Sequence, residues 1–311
     1  MLYSPAPMHI PDGFLSLGIS LFFWALTLVV VGLAISKTRQ SLGEKQIPLM
    51  GVMAAFIFAA QMLNFTVAGG TSGHFLGGAL AAMVLGPWAA ILVMTAVVAV
   101  QGLLFQDGGL LVMGANIFNM GILTAAIGFG LYRLVASAPK NLRLGMAAVA
   151  AWVATMSAAL SASLQLWLSG TSRLQIVIPA MLSVHALIGV GEAIITVAAL
   201  AFIQQARPDL LRGEATTEKG GRGWMYVGLA LALLAALLSP LASAYPDGLE
   251  RVAADAGFLH RAQSMPFQVL PDYTLPLLGP TPLSTIVAGV VGVLVVFSLM
   301  ILLARSLRGN R

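Results

Sequence analysis

Apolar runs long enough to cross a lipid bilayer recur along most of this chain, and hydrocarbon admits only structures that satisfy their own backbone hydrogen bonds. The expected fold class is therefore an all-α polytopic membrane protein. Charged residues make up 9% of the sequence and hydrophobic ones 59%, against about 25% charged in a soluble domain. The formal charge of +5 is no nucleic-acid footprint, because the cations sit between the apolar runs. The first run, Phe14 to Ser36, is long and follows no basic stretch, so it reads as a retained span and not a signal peptide. Zero cysteines exclude thiolate ligands and disulfides and leave the redox compartment open.

The spanning runs are 13–36, 47–63, 74–87, 89–105, 110–135, 144–168, 176–204, 224–244 and 283–304. The third and fourth are short for a span of about 20 residues, and Gly86-Pro87 is a natural break between them. An external amino terminus puts the linkers 37–46, 136–143 and 205–223 and the tail 305–311 in the cytoplasm. Only Arg173, Arg251 and Arg261 of the sixteen Lys and Arg residues then fall outside, the asymmetry that the positive-inside rule demands. The polar, glycine-containing stretch 205–223 divides a seven-span body from a two-span hairpin whose external loop covers 245–282. Within that loop, Pro246-Asp247-Gly248-Leu249-Glu250 reads locally as a turn and a helix start.

Four histidines and no cysteine leave few ways to hold a transition metal. One lies in Met8-His9-Ile10-Pro11-Asp12-Gly13-Phe14-Leu15. An imidazole close to backbone nitrogens suits the flat four-nitrogen sites that Ni(II) and Cu(II) favour. Another, His74, lies within a stretch that carries five glycines from Asn64 to Gly78, where the backbone folds tightly and another segment can approach. The proposed topology puts both on one face of the membrane.

These strings resemble the CbiM/NikM family, the substrate-binding components of energy-coupling-factor transporters for cobalt and nickel. The Pro246–Glu250 string, with Ser239-Pro240-Leu241-Ala242-Ser243 and the two-helix frame, resembles the PDGLE domain fused to such proteins. The resemblance implies a metal-binding domain over 8–204, a cytoplasmic linker 205–223 and a PDGLE-like accessory domain over 224–304. It implies a metal set made of the Met8 nitrogen, the His9 nitrogen and ring, and the His74 ring, with Asn64 and Asp12 supporting them from behind. It further implies transported Co2+ or Ni2+ as cargo with no prosthetic group, and a membrane scaffold (T component) and ATPase subunits as partners in the cytoplasmic membrane. No nucleotide-binding Gly-x-x-x-x-Gly-Lys-Ser/Thr loop occurs, so ATP hydrolysis is expected on those partners and no enzymatic activity on this chain. The fused hairpin leans toward nickel.

Seven residues precede Met8, whereas the family typically begins at the methionine of Met-His. We expect a working start at Met8; removal of the extension, or a site built from two imidazoles and amides, are the alternatives. Other polar residues lie at membrane depth. His185 and Glu192 are seven apart, so they share a helix face at about 10 Å, as a structural pair or as the relay of a secondary cation/proton carrier. Asp107, Asn116 and Asn119 are expected to tie external loops to helix ends. By resemblance, alanines 54, 55, 59 and 60, or 147, 148, 150 and 151, would let scaffold helices approach closely. A metallohydrolase would need a base beside an open metal, as in His-Glu-x-x-His, and the chain has none.

An imidazole binds metal only when neutral, and its reference pKa is about 6.5. Metal affinity should therefore fall as the pH drops below that value. Titrations at about pH 7.5 and pH 5 check it; equal affinity at both would count against histidine ligands.

Overall fold

The computed structural model describes residues 9–44, 46–207 and 223–308; Met8 and most of the linker expected at 205–223 lie outside them. Ten helices carry the described fold: α1 (Leu17–Ser41), α2 (Gln46–Gln61), α3 (Gly78–Leu85), α4 (Pro87–Phe105) and α5 (Met113–Arg133); then α6 (Lys140–Leu168), α7 (Leu174–Ala206), α8 (Gly223–Leu237), α9 (Gly248–Asp255) and α10 (Pro282–Arg308). Six of them, α1, α4, α5, α6, α7 and α10, are long and apolar enough to cross a membrane. The second and eighth apolar runs form the shorter helices α2 and α8. This is a multi-pass membrane protein.

The third run departs from expectation. Only eight of its residues are helical, a rise of about 12 Å at 1.5 Å per residue. Before α3 the chain is extended, with two-residue antiparallel strands β1 (Phe65–Thr66) and β2 (Ser72–Gly73). The reason lies on α7. Glu192, near the middle of that 33-residue helix, accepts hydrogen bonds from Leu76 N at 2.6 Å and Gly77 N at 2.9 Å. Gln61 Nε2 donates to the Leu76 carbonyl at 2.8 Å. Non-helical backbone persists at membrane depth only where protein groups satisfy it, and here they do. Gly86, with φ 80°, ends α3 and starts α4, and Pro87 takes the first helical position of α4, where its missing N–H costs nothing.

Helix α5 also deviates, with a π-helical section at Phe118–Leu123 between two α-helical parts. Such sections often mark functional sites, and this one carries Asn119.

Hydrocarbon offers no hydrophobic drive to bring helices together, so close packing through small residues has to do it. A row of buried alanines on α6 (147, 150, 151, 154, 158) faces the core, and α6 lies along α7. Ala54, Ala55, Ala59 and Ala60 of α2 are buried too, and α2 packs against α8 and α10. This corrects the expectation that these alanines form an open face for a scaffold: the chain's own helices cover them, with only Ala148 half-buried. The fused hairpin occupies one flank of α2. Gly292 of α10 is seated so closely on it that a Cβ there would lie 2.1 Å from Phe58 Cζ and 2.9 Å from Phe105 Cζ.

A second apolar cluster joins the amino-terminal string to α9. Phe14 and Phe258 meet edge to face at 5.1 Å, and Leu166, Val177, Leu249 and Val252 pack around them. Gly292→Val should lower the thermal stability of the full chain in detergent by about 1–3 kcal/mol, the usual cost of overpacking. Gly32→Val, at a position with nothing within 4 Å, is the control and should shift the unfolding midpoint little.

Candidate metal centre

Residues 9–12 lie along the loop between α4 and α5. Asn116 clamps Ile10 from both sides, accepting from its N–H at 3.1 Å and donating to its carbonyl at 3.0 Å. Asp12 accepts from the N–H groups of Leu110, Leu111 and Val112. Such contact needs bare backbone opposite: a Cβ on Gly109 would sit 2.1 Å from Asp12 Oδ1, and one on Gly108 would sit 2.8 Å from His9 Cβ. The Asp107-Gly108-Gly109 string is thus the bed on which the amino-terminal segment rests.

His9 is 3% exposed. Its backbone N–H donates to Asp107 Oδ1 at 3.2 Å, and its Nδ1 lies 3.1 Å from the Asp107 carbonyl. A carbonyl only accepts, so Nδ1 carries the hydrogen and Nε2 presents a lone pair. Burial holds the imidazole pKa below its ordinary value despite the opposing pull of Asp107, which keeps the ring neutral near pH 7. Asp107 is steadied in turn by Tyr273, whose hydroxyl donates to Oδ2 at 2.7 Å. Burial, reinforced by Asp107, pushes that phenol well above its usual range, so it stays a donor.

His74 arrives from the loop between α2 and α3 and is 8% exposed. Its ring centre is 5.6 Å from that of His9, with the planes at 72°, a spacing that one ion held by both rings can bridge. Asp247 Oδ2 lies 3.2 Å from His74 Nδ1, a charge contact and not an aligned hydrogen bond. Nε2 of His9 and Nε2 of His74 are buried without hydrogen-bond partners among the described residues. His74 Nδ1 also lacks a hydrogen-bond partner; unpartnered buried nitrogens are costly, and a cation held between the two rings would satisfy them.

The cavity walled by His9, His74, Asn116, Asn119, His185 and Asp247 measures about 60 Å³. Pockets for organic ligands run to roughly 300–1,000 Å³; this one has room for an ion with a water or two. A larger cavity of about 660 Å³ lies elsewhere, between α2, α7 and α8, and its aliphatic and aromatic walls with Arg207 offer no metal donor. Among the described residues no three His, Asp or Glu side chains form a ready cage.

The remaining expected residues fall as follows. Asn64 is half-buried, is not among the walls of the cavity, and its carbonyl accepts from Ser243 N at 2.8 Å. Asn119 exchanges hydrogen bonds with Gln165 and accepts from Ser161, tying α5 to α6. His185 and Glu192 do not hydrogen-bond to each other: His185 Nδ1 faces the Met181 carbonyl at 2.8 Å, and Glu192 accepts from the Leu76 and Gly77 N–H groups just ahead of α3. Met8 lies outside the described residues. Sequence reasoning did not find Asp247 or Tyr273 as site residues. Asp247 was legible only as the start of a helix, and nothing local to Tyr273 pointed to Asp107.

Known proteins are similar to this chain in sequence and fold. The family model for the cobalt uptake substrate-specific transmembrane region, CbiM, matches residues 9–210, and the PDGLE domain model matches residues 222–309. A putative fused nickel transport protein NikMN of Archaeoglobus fulgidus is 39% identical over 97% of this chain and 99% of its own length. The fused nickel transport protein NikMN of Rhodobacter capsulatus is 31% identical over 80% of this chain and 78% of its own. A crystal structure of a truncated transition metal transporter superposes with a TM-score of 0.58 at 34% identity, covering 64% of this chain and 99% of that one.

Glu192→Ala would leave two buried N–H groups without an acceptor, at about 1–3 kcal/mol each. The expected result is a lower unfolding midpoint and faster hydrogen exchange over residues 72–79. Unchanged exchange there would show that the cap does not hold the loop.

Proposed function

This chain belongs to the CbiM family of cobalt uptake substrate-specific transmembrane proteins with a PDGLE domain fused behind it, and we propose that it is the ion-capture subunit of an ATP-driven importer for Ni2+ or Co2+. The observation that carries the reading is the pair of buried imidazoles at 5.6 Å, with unpartnered Nε2 atoms, on a cavity sized for an ion. His9 and His74 are the ring donors. The Met8 nitrogen and the His9 backbone nitrogen complete the set that the resemblance implies; a backbone nitrogen and its own ring share one ion only through Nδ1, so that set would require both the His9 N–H and His9 Nδ1 to leave Asp107. Asn64 and Asp12 belong to the supporting structure, Asp12 by pinning the segment that presents His9.

Nitrogen donors reject Ca2+ and Mg2+, which prefer oxygen. Nickel is the favoured cargo, because both fused relatives described above are named nickel transport proteins. The family domain would occupy 8–204, the linker 205–223 and the accessory domain 224–304. The amino terminus would face outside, so that the site opens to the exterior, with a T-component scaffold and ATPase subunits driving release into the cell.

Full-length protein equilibrated with Ni2+ or Co2+ should retain one ion per chain by elemental analysis, and His9→Ala and His74→Ala should each abolish stoichiometric retention. Cells expressing the chain should accumulate metal only with scaffold and ATPase subunits present. Uptake by the chain alone, lost in Glu192→Gln and His185→Ala, would instead establish a secondary carrier.

A further inference from the structure

The Pro246–Glu250 string of the fused domain has a local explanation and a remainder. Asp247 is the N-cap of α9: its Oδ1 accepts from Leu249 N at 2.8 Å and Glu250 N at 3.1 Å. Glu250 three residues on completes the sequence pattern of a helix start. Gly248 lets the start of α9 sit tightly on α7, where a Cβ would come within about 3 Å of Val184, Ile188 and His185. Leu249 is buried in the second apolar cluster. Capping uses one carboxylate oxygen. The other, Oδ2, is turned to His74 Nδ1 at 3.2 Å, and the Asp247 side chain is almost wholly buried.

The backbone fixes that approach. Ser72 N donates to the Pro246 carbonyl and Ser72 Oγ to the Tyr245 carbonyl, each at 2.8 Å, two residues before His74. The arrangement repeats on the other imidazole, where the oxygen facing His9 Nδ1 belongs to Asp107 and Asp107 is held by Tyr273 from the same external loop. On His9 the oxygen accepts from Nδ1; on His74 the carboxylate oxygen stands 3.2 Å from Nδ1 without an aligned hydrogen bond; on both rings Nε2 is bare.

We infer that Asp247 is a positioning residue of the metal site, supplied by the fused domain, which fixes the ring of His74 so that Nε2 presents its lone pair to the cargo. The inference rests on the metal-site reading above. A carboxylate behind a ligating histidine sets its tautomer and orientation, and its loss costs about 10–100-fold in metal affinity. The fused domain thus helps to build the site as well as lying beside it.

Asp247→Asn separates this role from capping. Asparagine caps a helix as well as aspartate does. With its oxygen on Leu249 and Glu250, its amide N–H would face His74 Nδ1, favouring the tautomer whose Nε2 carries hydrogen and cannot ligate. Asp247→Ser likewise keeps one capping oxygen and removes the one facing His74. In the full chain, both variants should unfold at the wild-type temperature without metal and bind Ni2+ about 10–100-fold more weakly by calorimetry. Val252→Ala, which loosens the buried face of α9 without lining the cavity, is the control and should keep wild-type affinity. Wild-type affinity in Asp247→Asn and Asp247→Ser, or equal weakening in Val252→Ala, would overturn the inference. Neither result touches the site reading, which fails separately if His74→Ala retains stoichiometric Ni2+.

Discussion

The structure depends on keeping a stretch of non-helical backbone at membrane depth without leaving its polar groups unpaired. Lipid offers no hydrogen bonds, so every N–H and C=O of the loop before α3 needs a protein partner or a wet cavity. Glu192 supplies two acceptor contacts to Leu76 and Gly77, Gln61 donates to Leu76, and Ser72 is paired to the Tyr245–Pro246 backbone. That solution shortens α3 to eight residues, and the shortening brings His74 into the interior of the bundle. A full-length third helix would place the same residue one turn among many, with its backbone already satisfied and no cavity in front of it.

The buried carboxylates follow one pattern. Asp12 accepts from three backbone N–H groups, Asp107 from His9 N and the Tyr273 hydroxyl, Glu192 from two N–H groups, and Asp247 from two more. Each acid is therefore engaged in shaping backbone, and hydrogen bonds to charged groups are among the stronger ones, at about 1.5–3 kcal/mol each. The lone pairs that remain without partners around the cavity belong to imidazole nitrogens. A metal site built here would select by donor type: Ca2+ and Mg2+ prefer oxygen, while borderline metals suit the bare imidazole nitrogens.

Local strings made much of this legible. Met8-His9 and the glycine-rich approach to His74 carry their chemistry within a few residues, and Asp107 was expected to tie an external loop to a helix end, but the close seat that Gly108-Gly109 gives Ile10 and Asp12 is visible only in the structure. The membrane class followed from hydropathy. The extent of α3 was not legible, because an apolar run reads the same whether or not an acid 115 residues away holds its first residues out of the helix. The Asp247–His74 contact was hidden for a similar reason: a residue's capping geometry predicts where one carboxylate oxygen goes and is silent about the other. The α2 alanines were read for their size and assigned to a partner, but small residues pack equally well against the chain's own α8 and α10.

Burial of the site has a consequence for how an ion reaches it. His9 and His74 are nearly inaccessible, closed in by the segment that runs from Ser243 through α9 to Phe258. That cover is held by Ser243 N on the Asn64 carbonyl, the Ser72 pairings, Asp247 beside His74, the Phe14–Phe258 edge contact, and the burial of Leu249, Val252 and Ala253 in the second apolar cluster. Neutral hydrogen bonds contribute about 0.5–1.5 kcal/mol each net of water, so the apolar burial under α9 is a main part of what holds it. The transmembrane part of the fused hairpin is different, locked on α2 through Gly292 against Phe58 and Gly51 against Ile301. With both rings nearly inaccessible, loading an ion would require some of this packing to shift, and the docked helices α8 and α10 fix where the cover is anchored.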